Sequence, residues 1–332
     1  MCMRGVPAGT GAAGPPSPPA PTVAEQGEFG LIRRITTGLP RLPGTLLGPG
    51  DDAAVVAAPD SRVVVGTDML VEGVHFRLDW SSPHQIGRKA AAANLADLAA
   101  MGAVPTALVV ALGVPGHTPI ATVDGLAAGL REEAAQLGAG VVGGDVVRCA
   151  RIVVSAAALG DLQGRAPVTR AGARPGDVLA LCGRLGWSAA GLALLQRGAP
   201  ALAVVEAHRT PHPPYHAGPQ AAMSGATAMI DISDGLLADA GHLAESSTVG
   251  IDVWSAALPM PSILVEAAEV LGADPWQWVL TGGEDYALLA CFPAAVRLPS
   301  GWVQVGEVRD GRGVTVDGRP QDALRGGWQH FS

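Results

Sequence analysis

AMIDISDGLLADAGHLAES, residues 228–246, is the stretch on which the fold class turns. AMIDIS reads as a short apolar strand, and DGLLADAGHLAES as the helix it feeds. Asp231, Ser233 and Asp234 stand at the junction. A helix N-terminus attracts anions and wants an Asp or Ser cap. Capping accounts for one of the two acids, and the other is then available to a cation.

The same strand–helix alternation runs outward in both directions. RVVVGTD reads as a strand with Asp68 at its end, and residues 84–101 as a helix carrying Asn94 and Asp97, closed by Gly102. Residues 119–137 form a second helix, followed by the strands AGVVGGDVV and RIVVSAAALG. DLQGRAPVTRAGARPGD is a polar, turn-rich composition shift. Beyond it come the strand VLALCG, the helix WSAAGLALLQRG, and the further strands IDVW, YALLACF and WVQVGEV. The expectation is a mixed α/β fold in two domains, 25–160 and 161–332. Residues 1–24, rich in Pro, Gly and Ala, read as a disordered tail with no secretory apolar region.

Composition narrows the function. A length of 332 residues suits two domains. A net charge of −8 argues against a nucleic-acid surface, and no apolar run reaches the ~20 residues of a membrane span. Four scattered cysteines without a CxxC pair suit a reducing cytoplasm, not a disulfide framework or a zinc site.

Against that background, nine acids sit in Gly-rich or apolar settings: Asp51, Asp52, Asp68, Asp97, Asp145, Asp231, Asp234, Glu284 and Asp285. An ionised carboxylate among Val, Ala and Gly is costly without a compensating cation, and the chain has one lysine, Lys89. Divalent metal is the simplest compensation, and several acids around metal point to phosphate chemistry. Each motif alone leaves alternatives open. GDD at 50–52 also reads as a solvated acidic turn, Asp97 as an exposed helix residue, and Gly143-Gly144 as a tight turn. Neither GxxxxGK[ST] nor a strand-borne GxGxxG occurs, which argues against Walker-type and dinucleotide sites. His208, His212 and His216 read as loop residues, because the prolines of TPHPPYH break any helix through them.

In this order, GDDAAVV, TDMLVEGVHF, NLADLAAMGA, GGDVVR, VTRAGARPGD, DISDGLLADAGHLA and TGGEDYALL resemble the thiamine-monophosphate kinase family, over about residues 25–332. The resemblance implies the two-domain fold of aminoimidazole ribonucleotide synthetase, a homodimer formed through the N-terminal sheets, and ATP-dependent phosphorylation of thiamine monophosphate with several Mg2+ ions. It implies metal positions at Asp52, Gly66, Thr67, Asp68, Asp97, Asp145, Asp231 and Asp234. ATP positions fall at Gly144, Asp145, Arg170 and Ser233, and substrate positions at His75, Glu284 and Trp328. Gly66 departs from the family, which often has Ser there; a backbone contact would survive the change and a hydroxyl contact would not. The acceptor is itself a phosphate, so direct transfer needs no catalytic base, with metal-bound Asp68, Asp97 and Asp145 most critical. Alternatives within the fold are aminoimidazole ribonucleotide synthetase and selenophosphate synthetase. The latter would need a reactive Cys near a Lys in a Gly-rich N-terminal segment, and Cys2 lacks that setting. A silent nucleotide-binding module is the alternative of another class.

Overall fold

The computed structural model describes residues 21–40, 42, 44–48, 54–200 and 202–321. Asp51, Asp52 and Trp328 lie outside them, as does most of the tail.

The first half contains α1 (Val23–Gln26), α2 (Glu28–Thr36), β1 (Thr45–Leu47), β2 (Val55–Val56), β3 (Val64–Val71), α3 (Pro83–Ala100), β4 (Val104–Val114), α4 (Ile120–Ala135), β5 (Gly140–Arg148) and β6 (Val153–Asp161). Four strands form a sheet in the order β3-β6-β4-β5. β6 runs antiparallel to both neighbours, and β4 and β5 are parallel across the α4 crossover. The folded part starts earlier than the sequence suggests. Thr22 caps α1, while Val23 N and Ala24 N donate to Thr118 O and Gly116 O, both at 2.9 Å. Residues 21–24 are thus docked on the turn before α4, bonds that composition does not reveal.

α3 organises the molecule. Ser82 caps it with a capping box and Pro83 opens it. Its alanines are buried on nearly every side, the signature of a central helix. Glycines bring α4 against it almost backbone to backbone. A Cβ on Gly129 would stand 2.0 Å from His84 O, and one on Gly87 2.1 Å from Leu126 O. On its other side α3 covers the inner face of the sheet, packing Leu95 and Leu98 near Val154, Ala156 and Ala158.

The second half contains β7 (Val178–Cys182), α5 (Trp187–Arg197), α6 (Ala203–Arg209), α7 (Ala217–Met223), β8 (Ala228–Ile232), α8 (Leu236–Ser247), β9 (Gly250–Val253), α9 (Ser262–Leu271), α10 (Pro275–Thr281), β10 (Ala287–Phe292), β11 (Val303–Arg309), β12 (Gly313–Val316) and β13 (Arg319–Gln321). The sheet order is β13-β12-β9-β11-β7-β10-β8, antiparallel except for β9 with β12. Its alternating side chains build two cores. Leu179, Leu181, Ile230 and Leu289 pack with α5, α8 and α9. Ala180, Met229, Leu288 and Ala290 pack with α7 and with Ala99 and Ala100 of α3. The end of α3 is therefore shared by both halves, which places its acid against the second sheet. His208 corrects the loop reading. It lies in the last turn of α6 and is buried, with the helix ending at Arg209 before the prolines.

Candidate active site

Three carboxylates converge where α3, β3 and β8 meet. On β3, Gly66, Asp68 and Leu70 alternate toward α3. Asp68 N donates to Asn94 Oδ1 at 2.8 Å, and Asn94 Nδ2 donates to Ala90 O at 2.8 Å. The buried amide locks strand to helix one turn before Asp97. A Cβ on Gly66 would lie 3.4 Å from Asp97 Oδ2, so the Asp97 carboxylate sits directly over this glycine. From the second sheet, Asp231 follows Met229 on the α3-facing side of β8 and is 3% exposed. Its Oδ2 is buried and accepts no hydrogen bond from the described residues.

The electrostatics follow from that crowding. Burial first, then Asp231 and Asp68, push the Asp97 carboxyl up to about 8, with Arg170 opposing. Burial first, then Asp239, push Asp231 up to about 7, against a backbone hydrogen bond and Arg170. Acids held this way want a second cation beside the single guanidinium.

The start of α8 corrects the capping argument. Neither Asp231 nor Asp234 caps the helix, whose N-cap is Gly235. Asp239 reaches back instead, its Oδ2 accepting from Asp234 N at 3.1 Å and Gly235 N at 3.0 Å. Both junction acids are thereby left for other work. Ligand atoms of Asp234, Asp239 and His242 lie within 4.8 Å of one another.

The Gly282–Tyr286 loop packs onto this junction. A Cβ on Gly283 would be 2.4 Å from Ser233 O, which accepts from Glu284 N at 2.8 Å. Glu284 and Tyr286 both take left-handed backbone, φ +63° and +52°, unusual for side-chain-bearing residues. Asp285 anchors the loop by accepting from Gly186 N and Ser188 N. Lys89 of α3, 2% exposed, holds the Glu284 carboxylate with both oxygens at 2.9 Å and donates to His75 O at 3.2 Å. Burial pushes the Glu284 carboxyl up, but Lys89, by its charge and its hydrogen bond, outweighs it and the net shift is down. His208, forced down to about 3 chiefly by burial and then by Lys89, is a neutral neighbour at 3.5 Å that also meets Ser188 Oγ at 3.0 Å.

The sequence candidates divide accordingly. Asp68, Asp97 and Asp231 come together, flanked by Gly66, Asp234, Ser233 and Arg170. His75 and Glu284, 209 positions apart in sequence, meet through Lys89. Gly144 and Asp145 do not join them within one chain. Met69, Ser155, Ala111 and Asp145 lie in one row across the sheet, and Met69 is exposed on the face away from α3. Asp145 therefore occupies that outer face, on the edge opposite Asp68, three strand spacings or ~14 Å away. A bulge after Leu108 resets the alternation there, and Gly144 is needed because a Cβ would stand 2.0 Å from Val110 O. Thr67 faces the same outer side, its hydroxyl donating to Ala156 O at 2.8 Å. Sequence reasoning missed Asp239, His208 and the role of Lys89. An acid in the first turn of α8 and a lone lysine amid alanines were the available signals.

Comparison with known proteins agrees with this geometry. Residues 50–162 match the AIR synthase related protein, N-terminal domain. The chain is 53% identical over 315 residues to the thiamine-monophosphate kinase of Mycobacterium tuberculosis (strain ATCC 25618 / H37Rv), covering 94% of each chain. It is 45% identical over 324 residues to that of Corynebacterium glutamicum, covering 94% of this chain and 95% of the other. A solved structure of AaThiL complexed with AMPPCP and TMP superposes with a TM-score of 0.77 at 34% identity, covering 92% and 98% of the two chains. With this identity sustained along nearly its whole length, the chain belongs to the thiamine-monophosphate kinase family.

Proposed function

We propose that this protein transfers the γ-phosphate of ATP directly to thiamine monophosphate, forming thiamine diphosphate with the help of magnesium. One observation carries the reading: Asp68, Asp97 and Asp231 converge from three elements, with a buried Asp231 oxygen that no donor among the described residues reaches. That donor set fits a hard divalent cation. Asp68, Asp97, Asp231 and Asp234 would hold it, with Gly66 and Thr67 offering backbone oxygens. Magnesium supplies neutralisation of the phosphate charges.

The chain's own groups do the rest. A phosphate-monoester acceptor is already anionic near neutral pH and needs no general base. Arg170 supplies a fixed positive charge beside the acids, and Ser233 stands at the same junction. On the acceptor side, Glu284 keeps lone pairs beyond those Lys89 uses, enough to accept from an aminopyrimidine. His75 and Trp328 complete the proposed acceptor contacts.

The location of Asp145 bears on assembly. Val65, Met69, Val109 and Val147, 69%, 52%, 38% and 54% exposed, form an apolar patch on the uncovered sheet face. We infer that a second copy pairs there. Asp145 lies on that face, as does the Thr67 hydroxyl, so any part Asp145 takes in metal or ATP binding is played across the pair, whereas Gly144 shares a row with Val110, Ala156 and Asp68 on the α3 side. The division into domains after residue 160 belongs to the same proposal, supported by the end of β6 at Asp161. A cytoplasmic setting is supported by free Cys149, Cys182 and Cys291, and by the absence among the described residues of a helix able to cross a membrane.

The test is ADP release under steady-state conditions. The rate is expected to depend on thiamine monophosphate and to vanish on chelation. ADP release at the same rate without acceptor would count against a kinase of this kind.

A further inference from the structure

Lys89 is buried, charged and bonded to two segments that come from different halves of the chain. Its ammonium donates to His75 O in the turn after β3 and grips both oxygens of Glu284 in the loop before β10. A buried lysine left unpaired would be expensive, so the pair constrains both segments tightly. The neutral His208 adds no competing charge. Glu284 is moreover a left-handed residue two positions before a second one, Tyr286, and such strain persists only where the surroundings over-determine it. Here the surroundings are Lys89, Ser233 O and the bonds to Asp285.

We propose that Lys89 is a positioning residue for acceptor recognition: it fixes the distance between the His75 turn and the Glu284 carboxylate, turning two half-sites into one pocket. The inference rests on the functional reading above. The acid cluster lies about two turns further along α3, at Asp97, and does not depend on the lysine. Loss of Lys89 should therefore loosen the acceptor and spare the nucleotide.

The experiment is paired steady-state kinetics on Lys89→Met, Lys89→Gln and Lys89→Arg, each first compared with wild type by melting. Gln keeps a donor for His75 O and provides a foldable variant should Met fail. For Met and Gln, the expected result is a rise of at least about tenfold in the KM for thiamine monophosphate, with the KM for ATP within about twofold. Arg, which restores the cation, should recover part of the loss. Lower melting temperatures with an unchanged acceptor KM would reduce Lys89 to a structural role and overturn the proposal. So would equal rises in both KM values. A wild-type protein without acceptor-dependent ADP release would refute the functional reading itself, whereas active variants with unchanged acceptor KM would refute only the role of Lys89.

Discussion

Asp231→Asn should stabilise the metal-free protein at alkaline pH while destroying its function. Asp231 is 3% exposed, with Oδ2 unpartnered among the described residues. Burial and Asp239 hold its carboxyl at about 7, against 3.8 for an ordinary aspartate. Below pH 4 the folded and unfolded chains both carry the proton, and the substitution costs only the unpaired amide of Asn, about 1–3 kcal/mol. As pH rises from about 4 to about 7, the unfolded chain ionises while the folded chain keeps its proton, so wild-type stability falls. At ~1.4 kcal/mol per unit, roughly three units give an upper bound of about 4 kcal/mol. That same amide cost offsets part of the gain, leaving a net stabilisation on the order of 1–3 kcal/mol at pH 8. That corresponds to a rise in melting temperature of a few °C for domains of this size. The assay is urea and thermal unfolding in EDTA at pH 4 and pH 8, repeated with magnesium. Excess magnesium should raise the wild type and leave the variant unmoved. A variant less stable than wild type at pH 8 in EDTA, or one with the same difference at both pH values, would refute the reasoning.

Other outcomes follow from the same geometry. Asp68→Asn and Asp97→Asn should each lower turnover at least ~10²-fold at limiting magnesium, the scale of losing preorganised charge; near-wild-type rates would remove these residues from the metal site. Glu284→Gln should raise the KM for thiamine monophosphate while that for ATP stays within a few-fold, and weaker ATP binding with an intact acceptor KM would misplace the pocket. Val65→Glu on the uncovered sheet face should leave a folded monomer by sedimentation, with activity lost alongside the dimer if Asp145 acts across the pair.

Much of this architecture is legible in the chain. The junction acids at 231 and 234 and Asp97 on an apolar helix fall where period and punctuation put them; Asp68 is on the expected strand, but inside it and not at its end, because β3 runs on to Val71. What stays hidden depends on tertiary distance. Residue alternation marks Asp145 as a strand residue, but not that β5 occupies the edge opposite β3 or that a bulge turns the acid outward. Capping preference names Asp, Ser and Asn as candidates, yet Asp239 reaches back from inside α8 because glycine occupies the cap. The Lys89–Glu284 pair spans 195 positions, beyond any local pattern. Nor does the motif GGED reveal that its glutamate is left-handed. His208 shows the reverse error: the prolines do end a helix, but one that already contains it.

The central claim is direct transfer between two bound phosphates, and labelled ATP tests it most directly. With label in the γ-phosphate, magnesium and thiamine monophosphate, the label should appear in the terminal phosphate of thiamine diphosphate, one for each ADP formed, and none should remain on the protein. Label on an aspartate in the absence of acceptor, or released as free phosphate with no labelled diphosphate, would contradict it.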